Sequence, residues 1–389
     1  MKNLICSAPI IIYLMTGAPL VQISNAQEIE VENKAPSRVI LDTVVVTGTK
    51  KADPENVQDV PVSVTAFGSE QIEALKIRDL QGLTYTAPNV ALDDIGTTKG
   101  VANFSIRGLG INSSIPSIDP TVGVFIDGMY LGINSGVVFD IFDLESIEVM
   151  RGPQGILFGR NTTGGAVLLN TPKPSHDFSG RIKLASESGF RGTGENFYAM
   201  AALTGGIVED KLAAKLVVYH NEDNGWHKNK LGGNALESQL ISLGGVPAFL
   251  QVAGYPVATN TEDGFQNHGA SKTTIIRPSL FWTPYEEIEF TLRYEHGESK
   301  GDGPASQNHP GANGLINPFY SASRQSFDMS IDEKGGFDNQ WNQLIAETRL
   351  DLGKSGVFTS ITGWREYSSV ARSDIDGTPY FLFHGNLDV

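Results

Sequence analysis

The residues that could do chemistry are few, and their spacing does not suit catalysis. Gly159–Gly165 (GRNTTGG) is glycine-rich but lacks the Gly-Lys-Ser/Thr ending that a phosphate-cradling loop needs. The seven histidines, at 176, 220, 227, 268, 296, 309 and 384, include no pair at His-x-x-x-His spacing, so no helical metal-ligand pair is expected. No Gly-x-Ser-x-Gly elbow is present. The adjacent carboxylates Asp93 and Asp94 read as solvated loop charges rather than as a catalytic acid and base. This pattern argues against an enzyme and for a chain without a cofactor or metal. Two features remain. One is the run Asp42, Thr43, Val44, Val45, Val46, Thr47, Gly48, Thr49, with five consecutive β-branched residues. The other is a pair of arginines beside glycines, Arg107-Gly108 and Arg151-Gly152.

The β-branched run favours an extended backbone. It lies between two polar stretches, 27–41 and 50–59, and finds no obvious partner nearby. Two readings follow: a strand free to add to the sheet edge of another protein, or the first strand of the following domain. The two arginines, if enclosed, need carboxylate partners. They serve either as ion pairs that hold a movable domain or as purely structural residues.

The elements that must position these groups form two regions. Residues 50–173 read as a compact α+β domain. Strands are expected at Val60–Thr65, at Phe104–Gly108 and within Leu144–Pro153 and Gly164–Asn170. Asp127-Gly128, between the apolar runs of Val122–Tyr130, signals a hairpin. A helix opening at Ser69, capped by that serine, carries Ile72, Leu75 and Leu80 on one stripe. The glycines at 108, 128, 152, 159, 164 and 165 serve turns and close packing.

From residue 174 the pattern changes to segments of roughly ten residues with alternating polarity. About seven appear, near 179–188, 195–204, 211–221, 272–283, 287–297, 341–352 and 356–367. In the clearest, Ile288, Phe290, Leu292 and Tyr294 face one way, and Glu289, Thr291, Arg293 and Glu295 the other. Phe197, Ala199, Ala201 and Leu203 share a face in the second. Short connections (205–210, 284–287, 353–355) alternate with long ones (221–271, 298–340), as expected of a membrane barrel with short turns on one side and long loops on the other. In the longer loop, Asn234–Ala253 suggests an amphipathic helix, either a lid or docking surface or a helix packed on its neighbours.

Composition agrees with export and with a β-rich fold. A basic start (Lys2), an apolar stretch from Ile10 to Val21 and small residues at Ser24 and Ala26 read as a secretory signal over 1–26. Cys6 lies inside it, so the mature chain has no thiol chemistry. The net charge of −15 excludes a nucleic-acid footprint. Residues 27–41 read as a flexible periplasmic tether.

These motifs together resemble the TonB-dependent outer-membrane receptors, in particular siderophore receptors. Asp42–Thr49 resembles a TonB box. Phe104–Gly108, Val124–Gly128, Ile147–Gly152 with Pro153, and Gly159–Val167 resemble, in order, the motifs of the plug domain. The resemblance implies an α+β plug domain followed by the first strands of an antiparallel transmembrane β-barrel of about 22 strands, a size at which the lumen must be plugged. With about seven strands present and no aromatic residue at its end, the sequence reads as a fragment. The short tether leaves no room for the signalling domain of transducing members. The implied function is import of a scarce ligand, a ferric siderophore first, across the outer membrane of a Gram-negative bacterium. The alternatives are another organic nutrient (glycan, vitamin or aromatic compound) and a truncated, non-transporting binding protein. The implied partner is the TonB C-terminal domain, which would pair with Asp42–Gly48. Outer-membrane lipid surrounds the chain, which is expected to be a monomer. By resemblance the ligand-facing plug apices lie near Asp94–Ala102, Asn112–Ser117 and Tyr130–Gly136.

Overall fold

The computed structural model describes residues 45–48, 55–57, 59–96, 100–111, 118–137, 140–189, 194–229, 267–307, 328–329, 331, 334–375, 377 and 384–389. All lie in one compact unit, Thr43–Val389. The expected signal, tether, first three residues of the TonB-box-like run, Asn112–Ser117 apex and Asn234–Ala253 helix lie outside these residues.

Two short strands come first, β1 (Val45–Val46) and β2 (Glu55–Asn56), paired antiparallel. The next elements are β3 (Val64–Gly68), α1 (Ser69–Ala74), β4 (Val90–Asp94), β5 (Ala102–Ile106), β6 (Leu109–Gly110), β7 (Val122–Ile126) and β8 (Met129–Tyr130). β9 (Ser146–Arg151), α2 (Gly155–Phe158) and β10 (Gly165–Asn170) complete the domain. One sheet has the order β3-β9-β10-β7-β8 and a second β4-β5-β6. Their apolar faces share a core that includes Leu80, Leu83, Leu92, Ile106, Ile147 and Val167.

Three local expectations are corrected. The first strand of this domain begins at Val64, not Val60, because Pro61 has no N–H for a ladder and the pairing with β9 starts beyond it. The helix stops at Ala74, and Leu80 lies beyond it, just before a 3₁₀ turn at Gln81–Tyr85. Lys76 at φ 53° breaks the helical path, and Leu75 is left exposed. The helix cap is Gly68, whose N–H donates to the Gln71 side chain at 3.4 Å, so Ser69 is already inside the helix. Arg107-Gly108 forms a two-residue hairpin turn between β5 and β6, and Asp127-Gly128 one between β7 and β8. All four residues have positive φ, as the turn that matches strand twist requires.

The second region is an eight-stranded antiparallel wall. It contains β11 (Ser179–Glu187), β12 (Asn196–Val208), β13 (Leu212–Asp223), β16 (Ser271–Tyr285), β17 (Ile288–Gly301), β19 (Gly336–Asp351), β20 (Val357–Asp374) and β21 (His384–Asp388). The short strand β21 was missed in the sequence. Three small strands, β14 (His227–Asn229), β15 (Asn267–His268) and β18 (Asp328–Met329), form a separate sheet at the long-loop end. No helix among the described residues is long and apolar enough to cross a membrane.

The wall is apolar outside, and its inner face mixes polar and charged side chains with a cluster that includes Met200, Tyr219, Ile275 and Trp341. Ile182, Leu184, Phe197, Leu203, Leu216, Trp282, Tyr294 and Trp364 are exposed on its outer face. Thr273, Arg277, Thr291, Arg293, Glu295, Asn339 and Gln343 are buried on its inner face. This is the distribution of a membrane barrel rather than of a water-soluble sheet.

The inner face holds the first domain through charge. Lys215 reaches Asp143 at 2.7 Å, with both side chains buried. Arg293 lies 3.5 Å from Asp127 and 3.4 Å from Glu347. The Tyr219 hydroxyl donates to Asp140 at 2.7 Å, and Phe142 stacks between Tyr219 and the Arg277 guanidinium. Burial pushes the Asp127 carboxyl above the usual carboxylate range, while Arg293 and the N–H and hydroxyl of Thr171 oppose that rise. The segment Asp140–Asp143 is therefore the domain's firmest anchor on the wall. Lys215→Met strands a buried carboxylate, and the expected loss is about 3–5 kcal/mol. Denaturant titration of the purified protein, followed by tryptophan fluorescence, checks this; an unchanged midpoint would contradict the anchor.

Candidate functional site

The site is built around a carboxylate in the middle of a sheet. β9 runs between β3 and β10. Its residue Glu148 pairs across the ladder with Ala66 on one side and Leu168 on the other, and is fully buried. A carboxylate there requires donors, because desolvation without hydrogen bonds costs several kcal/mol or more. The amino-terminal segment supplies them. Glu148 Oε1 accepts from the Thr47 backbone N–H at 2.8 Å and from the Thr47 hydroxyl at 2.7 Å. Glu148 Oε2 accepts from the Gly48 N–H at 2.9 Å.

Asn170 of β10 closes the network. Its side-chain amide donates to Glu148 Oε1 at 3.2 Å, to the Thr47 hydroxyl at 3.1 Å and to Ser146 Oγ at 2.9 Å. Val46 is fully buried. Gly48 packs so closely that an added Cβ would lie 2.7 Å from Met150 Sδ and 2.8 Å from a Leu168 methyl. A larger residue here would make the Met150 and Leu168 side chains shift.

Of the two readings of this strand, free for another protein or part of the following domain, the structure shows it docked on that domain. It pairs with β2 through Val45↔Asn56 and Val46↔Glu55, and Glu148 takes its next two N–H groups. The sequence offered no partner nearby because the principal one is 101 residues away. Of the residues singled out in this run, Val45, Val46, Thr47 and Gly48 are placed at the site, and Asp42, Thr43 and Val44 lie outside the described residues. In this state the backbone groups that strand addition would use at Thr47 and Gly48 are occupied.

The two arginines do not meet carboxylates among the described residues. Arg107, exposed in its turn, donates to Ser63 Oγ at 3.0 Å. Arg151 donates to the Pro88 carbonyl at 3.4 Å, and its Nε has no hydrogen-bond partner.

At the other end of the domain, the described parts of two apices rest on β20. The Gly136 N–H donates to the Gly100 carbonyl at 2.9 Å, and Ala102 N–H to the Asn134 carbonyl at 2.9 Å, so the apices are joined to each other. Arg365 donates to the Gly136 carbonyl at 2.6 Å, and the Tyr367 ring fills the space that a side chain at Gly136 would need. No group of acidic, histidine or cysteine side chains able to hold a metal ion occurs among the described residues.

Sequence reading passed over Glu148, Asn170, Asp143 and Arg365. One signal was available for Glu148: a charged residue between Ile147 and Val149 in a strand whose neighbours are apolar. Its partner in the amino-terminal run could not be inferred from that signal.

Residues 56–166 match the family model described as the TonB-dependent Receptor Plug Domain. The ferrioxamine B receptor of Salmonella typhimurium is 33% identical over an alignment of 189 residues that covers 45% of this chain and 24% of that protein. The vitamin B12 transporter of Vibrio vulnificus is 24% identical over 190 residues, 49% of this chain and 29% of that one. Among solved structures, the ferripyoverdine receptor of Pseudomonas aeruginosa outer membrane superposes with a TM-score of 0.63 at 12% identity, covering 88% of this chain and 39% of that chain. The chain spans about a quarter of the length of the curated relatives it matches.

Removing the Glu148 carboxylate should free the docked strand. In a Val46→Cys protein, whose probe replaces a fully buried side chain, Glu148→Ala is expected to raise the rate of maleimide labelling at least tenfold. Loss of one hydrogen bond to a charged group already costs about 1.5–3 kcal/mol. Equal labelling rates with and without Glu148 would show that the carboxylate does not hold the strand.

Proposed function

We propose that this chain, which carries a TonB-dependent receptor plug domain followed by the first strands of its barrel, is part of an importer that moves a ferric siderophore across the outer membrane of a Gram-negative bacterium. The observation that carries this reading is the strand at Val45–Gly48, docked on the domain chiefly through the buried Glu148 carboxylate. A barrel of this width needs a plug, and the outer membrane offers no nucleotide supply of its own. The energy for moving the plug must therefore arrive through a protein contact. Asp42–Gly48 is the proposed handle, and the TonB C-terminal domain the proposed partner, joined by strand addition.

Support for iron comes from the ferrioxamine B and ferripyoverdine receptors among the similar proteins. A second reading, import of another organic nutrient, draws on the vitamin B12 transporter. Arg107 and Arg151 are proposed to hold the plug through carboxylates on parts of the wall other than the described strands, and to let it go when the handle is pulled. The domain boundaries proposed are a signal at 1–26, a tether at 27–41, the handle at 42–49, the plug at 50–173 and barrel from 174. Nothing in this scheme calls for an enzymatic step.

Val45→Pro removes a ladder donor and fixes φ in the handle. In cells carrying the receptor, uptake of radiolabelled ferric siderophore should fall to background while surface binding of the same chelate is unchanged. Loss of binding together with uptake would refute the handle role.

A further inference from the structure

At the long-loop end of the wall, β15, β14 and β18 form a small sheet in that order. It gathers three chain segments onto one point. His227 and His268 face each other as cross-strand partners between β14 and β15. Asn229 grips the third segment from both sides: its amide donates to the Ile331 carbonyl at 3.0 Å, and its carbonyl accepts the Ile331 N–H at 3.3 Å. Met329 and Ile331 are fully buried. The two long connections between the wall strands, 224–270 and 302–335, both pass through this clasp.

His268, on the edge strand β15, is fully buried. The described charged and titratable groups facing it are Asp302, Lys334 and His227. Asp302 is already engaged, with Oδ1 on Lys334 at 3.0 Å and Oδ2 on the Ala270 N–H at 3.0 Å. A proton added to His268 would therefore place a second buried cation beside Lys334 and opposite His227, offset by the shared Asp302 carboxylate and by the Pro304 backbone. Buried charge in that position is costly.

We infer that this sheet is an acid-sensitive clasp: proton uptake at His268 opens the pairing of β14 with β15 and β18. Burial holds the His268 imidazole below its ordinary range, with Lys334 and His227 acting the same way and Asp302 against them. A histidine with a depressed folded-state pKa stabilises the clasp fully above its unfolded value of about 6.5. That stabilisation is lost as pH falls below that value toward the folded one. The significance for import rests on the reading that the long loops face outward and admit the ligand, but the clasp itself can be tested without that reading.

The test is amide hydrogen exchange on the full-length receptor in detergent, corrected for intrinsic rates, at pH 7.5 and at pH 5. Protection of residues 227–229, 267–268 and 328–329 is expected to fall at least tenfold at pH 5, while protection of the wall strands 339–350 stays constant. His268→Gln should abolish the pH response of the clasp. Lys334→Gln should weaken it, because without the neighbouring cation the folded-state imidazole takes its proton at less cost and acid opposes the clasp less. The inference is overturned if the clasp stays protected at pH 5, if wall and clasp lose protection together, or if the response survives His268→Gln. Failure here would leave the handle and its uptake test untouched.

Discussion

Glu148 is a carboxylate in the interior of a sheet, and the amino-terminal strand is what makes its burial tolerable. Its two oxygens take the N–H groups of Thr47 and Gly48 and the hydroxyl of Thr47. Asn170 contributes one further donor. The dependence is mutual. Without the carboxylate the strand keeps two residue pairs with β2, the Asn170 amide on the Thr47 hydroxyl and the packing of Val46 and Gly48, but loses the acceptor of three hydrogen bonds. Without the strand the carboxylate is left with one side-chain amide among the described partners. Such a contact has two favourable arrangements, docked in the dry sheet or apart with water on both groups, and little in between. That is the property a release point needs.

The same logic of buried charge organises the rest of the plug's seat. The wall turns its apolar residues outward, so its polar residues and charges line the inside, where they meet the plug. The contacts differ in kind along the circumference. Asp140–Asp143 is held by a buried ion pair, a tyrosine hydroxyl and a cation over an aromatic ring. Helix α1 is joined to β11 by Glu73 with Arg181 and Lys183, an exposed set that contributes little in water. The apices lean on β20 through a carbonyl and glycines. Among the described residues the buried contacts to the wall are thus those at 140–143 and Asp127 with Arg293, and the others are more exposed.

Much of this was legible in the sequence, and the parts that were not share a cause. The wall strands follow from alternation, and in β17 the inward set Thr291, Arg293 and Glu295 is buried as alternation requires. The Asp127-Gly128 turn follows from residue type alone. Local competition decided the errors: Pro61 delayed the first plug strand, and Lys76 ended the helix before Leu80. The docked strand was unreadable for a different reason. Its partner Glu148 is distant in the chain, and nothing in a run of valines specifies which buried carboxylate it will satisfy. The arginines at 107 and 151 were legible as residues in need of partners, but the described strands do not supply carboxylates to them.

The central claim is that the docked and the partner-bound states of Thr47–Gly48 exclude each other, because both use the same backbone N–H groups. Isothermal titration of the full-length receptor with the isolated TonB C-terminal domain measures this directly. If docking competes, Glu148→Ala strengthens binding by at least tenfold relative to the unaltered receptor, since the strand no longer has to be withdrawn from the carboxylate. Equal affinities for the two proteins would mean that the partner reads the strand without displacing it, and the account built on Glu148 would be wrong.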